Sequence, residues 1–339
     1  MLRGRVRFSS IAVFGLGAFV AASVGVTLYV SGATGLRTTQ TLLAGQAEDT
    51  LDTLERLIET ELEPVRAQSQ WVASAFAEGR IDLARRPQLD AFMLGLVGAT
   101  PQVSGIGVFD AAGGGRRWNR EDHSAVSEDW SARAPMREWL ERGRTLQGPG
   151  WRPPLWAQTQ QVAALVYETP LRRGSRYLGM LGQVVPVSKL SSELAVFGAE
   201  HGLTAFILYG EDRVLAHPRL AAGAGGMPRA NPLPMLLEVG DPVLDRLRTP
   251  DSRTPIGLRT LTRSRAVTAT IGDERYLYLT RDITSTGATP WTIGIYVNAD
   301  RAGQRAEMQR LVLSIAAGLL VLAIAVLAAA IAGRRLSRP

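Results

Sequence analysis

Apolar positions along the chain fall into three regimes. From Phe8 to Val30, and again from Leu311 to Ala332, no charged residue interrupts an apolar run. Each run is close to the roughly 20 residues a helix needs to cross a bilayer core. Between them, Leu43, Ala47, Leu51, Leu54, Ile58, Leu62, Val65, Val72 and Phe76 recur in steps of mostly three, four or seven, which predicts a helix. If continuous from Leu36 to Glu78, it is about 65 Å long at ~1.5 Å per residue, with Pro64 as a point of kinking. Such a helix packs on its own domain. A parallel dimer seam is the sharper reading, on an imperfect heptad.

After Pro101 the alternation becomes that of strands. Val103–Phe109, a glycine turn over Asp110–Gly115 and a return at Arg117 and Trp118 predict a hairpin. A helix is expected from Ser127 through Trp139 to Arg142, its positive end suited to Ser127, Glu128 and Asp129, with Pro135 able to divide it. Strands Gln161–Thr169 and Tyr177–Val187 flank a turn at Arg172–Arg176, and Ser188–Phe197 reads as a closing helix. The order then starts again. A strand at Thr204–Tyr209, a turn at Gly210–Asp212, a return at Val214–Ala216, a helix within Pro234–Arg248, and strands Arg265–Ile271, Glu274–Asp282 and Trp291–Val297 follow. This topological repeat predicts an α+β fold in which two modules stack on a long N-terminal helix, flanked by two transmembrane helices. The stretch Ala221–Pro232, rich in Gly, Ala and Pro, is a loop inside the second module. The expected organisation is a cytoplasmic N-terminus 1–7, a transmembrane helix 8–30, a stalk helix 31–80, a membrane-distal module 81–198 and a membrane-proximal module 199–298. A helical connector 299–310, a second transmembrane helix 311–332 and the start of a linker, 333–339, complete it.

Charge changes this picture in one respect. The net charge of +7 would ordinarily raise nucleic acid as a partner. Here Arg3, Arg5 and Arg7 precede the first apolar run, and Arg334, Arg335 and Arg338 follow the second, so the excess points to a membrane instead. The positive-inside rule places both ends in the cytoplasm and 31–310 outside, as in a multi-pass inner-membrane protein. A cleaved signal peptide is the alternative for the first run, which is longer than the usual ~7–15 apolar residues and is closed by no A-x-A site.

Composition removes most chemistry. The chain has no cysteine and three scattered histidines, which excludes Cys-zinc, iron–sulfur and thiol readings and leaves no metal cluster. Without a Walker loop, HExxH or nucleophile elbow, neither an enzyme nor a bound cofactor is expected. The adjacent acids Glu121/Asp122, Glu128/Asp129 and Glu211/Asp212 read as solvated turns and caps. One cluster is informative. Trp130, Trp139, Trp151 and Trp156, four of seven tryptophans, lie close in sequence to Arg133 and Arg137. On an unbroken helix the two arginines share a face, where guanidiniums beside indoles clamp a carboxylate. Core packing of the tryptophans under arginine stems is the alternative.

The whole arrangement resembles the double Cache sensor region of bacterial transmembrane receptors, built from two PAS-like modules. The resemblance is carried by Phe206–Pro218 with its Val-Leu-Ala-His-Pro ending, by Arg176-Tyr-Leu-Gly179 with Val184 and Leu190, and by Thr289–Tyr296. Residues 333–339 are similar to the start of a HAMP linker, and Pro234–Leu244 resembles Cache regions that precede class III adenylate/guanylate cyclases; chemoreceptors and histidine kinases are the family's other outputs. The resemblance implies a noncatalytic sensor that binds a small molecule and acts as a homodimer. In amino-acid-binding relatives an R-x-W-Y stretch holds the ligand carboxylate and downstream aspartates hold its amine. Arg137-Glu-Trp139-Leu140 resembles that stretch without its tyrosine, while Gln158 and Gln183 stand near the places of the aspartates. A buried ammonium lacking an anionic partner is costly, so the expected ligand is a small organic anion held by Arg137 and Arg133 with Trp139, Trp151 and Trp156 around it. A membrane-anchored structural or partner-binding domain is the competing reading.

Overall fold

A computed structural model describes residues 45–158, 160–223, 231–248, 261–283 and 289–299. The apolar runs 8–30 and 311–332, the connector and the linker lie outside these residues. Among the described residues no helix is long and apolar enough to cross a membrane.

Of the predicted stalk 31–80, residues 31–44 lie outside the described residues; the rest contains helix α1, residues 45–77, which continues through Pro64. Leu51, Leu54, Ile58, Leu62, Val65, Val72 and Phe76 are all buried, so the apolar stripe is spent on the protomer's own sheets. Asp49, Arg56 and Glu59 on the other face are exposed. A dimer seam along this helix would therefore use its polar side. Helix α2 (Arg86–Ala99), absent from the sequence reading, buries Leu89, Met93 and Val97 in steps of four. Its end is tied to α1 by Gln68 Nε2, which donates to Leu96 O at 2.8 Å and to Thr100 Oγ1 at 2.6 Å.

The first sheet contains β1 (Gly105–Asp110), β2 (Gly114–Asn119), β3 (Ala125–Asp129), β4 (Gly150–Trp151), β5 (Leu155–Ala157), β6 (Val162–Arg173) and β7 (Arg176–Pro186). Its order is β3-β2-β1-β7-β6-β4, with β5 also paired to β6. Helix α3 (Ala134–Thr145) packs on one face, and α4 (Val187–His201) leads to the second sheet. That sheet contains β8 (Thr204–Tyr209), β9 (Arg213–Ala216), β10 (Arg265–Ile271), β11 (Glu274–Ile283) and β12 (Trp291–Asn298), in the order β10-β11-β12-β8-β9. Both sheets are antiparallel and share a plan, in which the last strand inserts beside the first strand of an opening hairpin.

Two predicted helices need correction. Ser127–Asp129 is strand, because Arg116 and Arg117 on β2 reach across to Ser127 and Glu128, a cross-strand pairing that outcompetes the capping role. Asp129 then turns the chain by accepting the Ser131 N–H at 2.9 Å, and Pro135, in the first turn of α3, starts the helix. Within Pro234–Arg248 the helix is reduced to 3-10 turns and one α-turn, α5 (Pro242–Asp245), because Gly240 adopts a left-handed conformation and Pro242 restarts the chain.

One continuous core joins α1, α2 and α4 to one face of both sheets. In β7 this divides the side chains by parity: Leu181, Gln183 and Val185 lie on the α1 side, and Met180, Gly182 and Val184 on the other. On the second sheet the face away from α1 is closed by Phe206, Leu208, Tyr278 and Tyr296 packed with Leu236, Val239 and Leu244. On the first sheet the corresponding face is covered in part by α3, through Trp139 and Leu140 packed with Phe109 and Met180, and the rest is open.

A cavity over the first sheet

The opening is a consequence of missing side chains. Arg117 (β2), Gly107 (β1), Gly182 (β7) and Glu168 (β6) are successive register partners, forming one row across the sheet. Register partners point to the same face, so two glycines keep the middle of this row low, with the Phe109 ring over Gly107 and the Trp139 ring against Gly182. In the second sheet the pair Phe206–Gly294 joins β8 to β12, and the Phe206 ring folds over the glycine and fills the space. Over the low row of the first sheet lies a cavity of about 810 Å³, walled by Trp130, Trp139 and Trp156 and by Arg117, Arg133 and Arg152.

Each charge has a defined setting. Glu168 is only 6% exposed and accepts from Trp139 Nε1 at 2.6 Å and from Arg142 Nη2 at 2.7 Å. Arg152 Nε stands 3.5 Å from the same oxygen without a hydrogen bond, and its guanidinium lies 5.7 Å from the Trp139 ring centre. Burial lowers the Arg152 pKa, Glu168 opposes this and Arg142 adds to it; a guanidinium in this setting remains charged at neutral pH. Across the floor, Arg117 pairs with Glu128, which corrects the expectation that this acid is a solvated cap. Arg117 and Arg133 stand 5.9 and 5.6 Å from the Trp130 ring. Trp130 stacks on Phe109 at 4.0 Å, and Phe109 meets Trp139 edge-on at 5.9 Å. The indole nitrogens of Trp130 and Trp156 are buried and make no hydrogen bond among the described residues, unusual for groups that ordinarily find a partner.

Of the predicted residues, Arg133, Trp139 and Trp156 line the cavity. Arg137 is exposed on α3 and is not in the wall. Arg133 precedes the helix at its N-cap position, so the two arginines do not share a helical face. Trp151 packs edge-on against Tyr167 at 4.9 Å and belongs to the core on the α1 side. Gln158 lines the cavity, whereas Gln183 points to the opposite face and donates to Gln68 Oε1 at 2.7 Å. Sequence reasoning missed Arg117, Arg152, Glu128 and Glu168, because their convergence depends on strand register. The glycines at 105, 107 and 182 were the available signal.

A second buried polar group belongs to the other module. His217, 1% exposed, accepts the Arg219 N–H on Nδ1 at 3.2 Å and places Nε2 at 3.4 Å from Tyr296 Oη. Tyr296 donates to Asp241 at 2.7 Å, and Asp241 also accepts the N–H groups of Val243 and Leu244. Its buried contacts are intramolecular, a structural network at the end of β9. Among the described residues no group of His, Asp or Glu could hold a metal ion.

No protein-family model matches the sequence, and no curated protein is similar to it. Solved structures are. The ligand-binding domain of the Campylobacter jejuni chemoreceptor Tlp3 in complex with 4-methylisoleucine superposes with a TM-score of 0.51 at 12% identity, covering 79% of this chain and 92% of that one. The ligand-binding domain of the Pseudomonas fluorescens chemoreceptor CtaA in complex with L-serine gives 0.50 at 14% identity, covering 78% and 98%. A methyl-accepting chemotaxis protein X gives 0.51 at 13%, covering 77% and 99%. The fold is that of chemoreceptor sensory domains. At these identities the likeness establishes architecture alone.

Proposed function

We propose that this chain is the sensory region of a membrane receptor, and that it binds a small organic anion in the cavity over the first sheet. The observation that carries the reading is the set of three guanidiniums among tryptophans over a glycine floor. An 810 Å³ cavity falls within the ~300–1,000 Å³ of small-molecule sites and weighs against a purely structural or partner-binding role. The Tlp3 and CtaA domains named above are complexes with amino acids. In this cavity Glu168 is engaged by Trp139 and Arg142, and Glu128 by Arg117 through Oε1, its Oε2 being buried without a hydrogen bond among the described residues; the three guanidiniums of the wall outnumber this one open carboxylate oxygen and favour an anion. The anion is assigned to Arg133 and Arg152, with Trp139 and Trp156 as walls. Titration calorimetry of the full chain in detergent against organic acids and amino acids tests this. Arg133→Gln should weaken an acid at least tenfold, the usual cost of a charge-assisted contact, and Arg137→Gln should leave affinity unchanged. Binding of amino acids alone, or indifference to both Arg133→Gln and Trp156→Ala, would sink the assignment.

The finer parts of the reading rest on the sequence. Arginine flanks support transmembrane helices at 8–30 and 311–332 with residues 31–310 outside the cytoplasm, and the repeated order of elements supports the module boundary near residue 198. The resemblance of 333–339 to a HAMP linker and of Pro234–Leu244 to cyclase-associated regions supports relay to a cytoplasmic nucleotide cyclase. A homodimer is the assembly such a relay uses most simply.

A further inference from the structure

The charges around the cavity fall into two groups rather than one. At the β2 side, Arg117 and Arg133 face the Trp130 ring, and one carboxylate, Glu128, answers them. On the β6 side, Arg142 and Arg152 share one carboxylate, Glu168. Among these described residues four guanidiniums meet two carboxylates, and each end carries one more positive charge than negative. Arg133 has no carboxylate partner among the described residues, and Arg152 makes no hydrogen bond through its Nε.

The two ends are held apart by the sheet. β2 and β6 are separated by β1 and β7, three strand spacings or roughly 14 Å at about 4.8 Å each, and Arg133, which follows β3, and Arg152, which follows β4, enter from opposite edges of that span. Between them runs an aromatic row, Trp130 on Phe109 and Phe109 edge-on to Trp139, beside the glycine pair Gly107–Gly182 that keeps the floor flat. A ligand with one anionic group satisfies only one end. It leaves the other end without an added anionic partner, either Arg152, half-buried with Glu168 beside it, or Arg133, exposed at the rim.

We infer that the cavity is built for an elongated dianion, two carboxylate-type groups joined by a flat apolar body, one group meeting Arg133 and the other Arg152. The body lies on the glycine floor against the rings, where offset or edge contacts favour an aromatic framework over a branched aliphatic one. The inference rests on the reading of the cavity as an anion site and goes beyond it in requiring both ends at once.

Titration of the full chain with matched pairs decides the matter: benzoate against terephthalate, 2-naphthoate against naphthalene-2,6-dicarboxylate, and 4-phenylbenzoate against biphenyl-4,4′-dicarboxylate. At least one diacid should bind tenfold or more tightly than its monoacid. Arg133→Gln and Arg152→Lys, made singly, should each bring that diacid to about monoacid affinity, and the double variant should weaken it further, because the remaining end is then broken as well. Arg133 is exposed at an N-cap position and makes no side-chain capping bond, so Arg133→Gln is expected to fold; the unliganded thermal midpoint of both variants checks this. Diacids no tighter than monoacids, with both weakened by Arg133→Gln, would leave the anion site standing and overturn the two-ended inference. Failure of every acid to bind would overturn both.

Discussion

His217 shows how a single buried side chain sets a pH response. Burial pushes its pKa down from 6.5 to about 4, Asp241 opposes this and Arg219 adds to it. A histidine whose folded pKa is depressed contributes stability that is complete above its unfolded value and is lost as the pH falls toward the folded one. The thermal midpoint should therefore fall between pH 6.5 and about 4, by about 2–4 °C for each kcal/mol lost. His217→Asn, which keeps an acceptor for the Arg219 N–H, should flatten that window. Asp90 behaves differently: hydrogen bonds from Arg116 outweigh its burial, and Trp118 adds another, so its pKa is lowered from 3.8. Its contribution is present above that value and disappears only in stronger acid. An unchanged slope between pH 6.5 and 4 in His217→Asn would show that His217 is already protonated in the fold.

Among the elements, the contact between α1 and β11 is the one most exposed to test. Arg281, 3% exposed, pairs with Glu48, Asp52 and Glu55 and donates to Ser264 Oγ at 3.2 Å. The three acids are spaced by four and three residues and so form a stripe beside the buried Leu51 and Leu54. Burial pushes Glu48 up, but hydrogen bonds from Ser264, Arg281 and the Arg263 N–H, with the Arg281 charge, together hold it below the usual carboxylate range; for Asp52 the hydrogen bond from Arg281 alone outweighs burial. Removing one partner of a wholly buried pair costs about 3–5 kcal/mol. Because these acids are part-exposed, Arg281→Gln should cost about 2–3 kcal/mol in denaturant unfolding on that scale. Arg281→Lys should restore little, since an ammonium cannot fork to three carboxylates. A loss below 0.5 kcal/mol, the ordinary range of surface substitutions, would mean that the clasp is replaced by water.

At the scale of the molecule, the cavity and the stalk share a strand. Gly182 and Val184 of β7 form cavity floor, and Gln183 between them bonds to Gln68 on α1. A ligand pressing on the floor therefore acts on α1 through one strand thickness, and α1 continues beneath the second sheet to Arg281. For a receptor read by paired helices, the exposed side of α1 is where two protomers would meet. Single cysteines at Asp49, Arg56, Glu59 and Glu63, all exposed, should crosslink in membranes with a helical period, and Leu54→Cys, inside the core, should not. Failure along the whole exposed face would remove the dimer contact from this helix.

Sequence periodicity alone determined the long helix, because its stripe repeats over many turns against one continuous core, and most strands, whose apolar alternation or turn glycines leave one solution. Thr204–Tyr209 and Arg265–Ile271 have the predicted limits. Composition singled out the tryptophans and arginines near residues 130–156, of which Trp130, Arg133, Trp139 and Trp156 line the cavity while Arg137 and Trp151 do not. The division of labour among them was decided only in three dimensions. Whether 127–129 is helix cap or edge strand depends on arginines of another strand, ten or so residues away, and local propensity does not contain that pairing. Which arginines face the cavity depends on register, where a shift of one residue exchanges the faces. Gly107 and Gly182 lie far apart along the chain and become a floor only when β1 and β7 align them. The balance of charges across that floor is a property of the sheet.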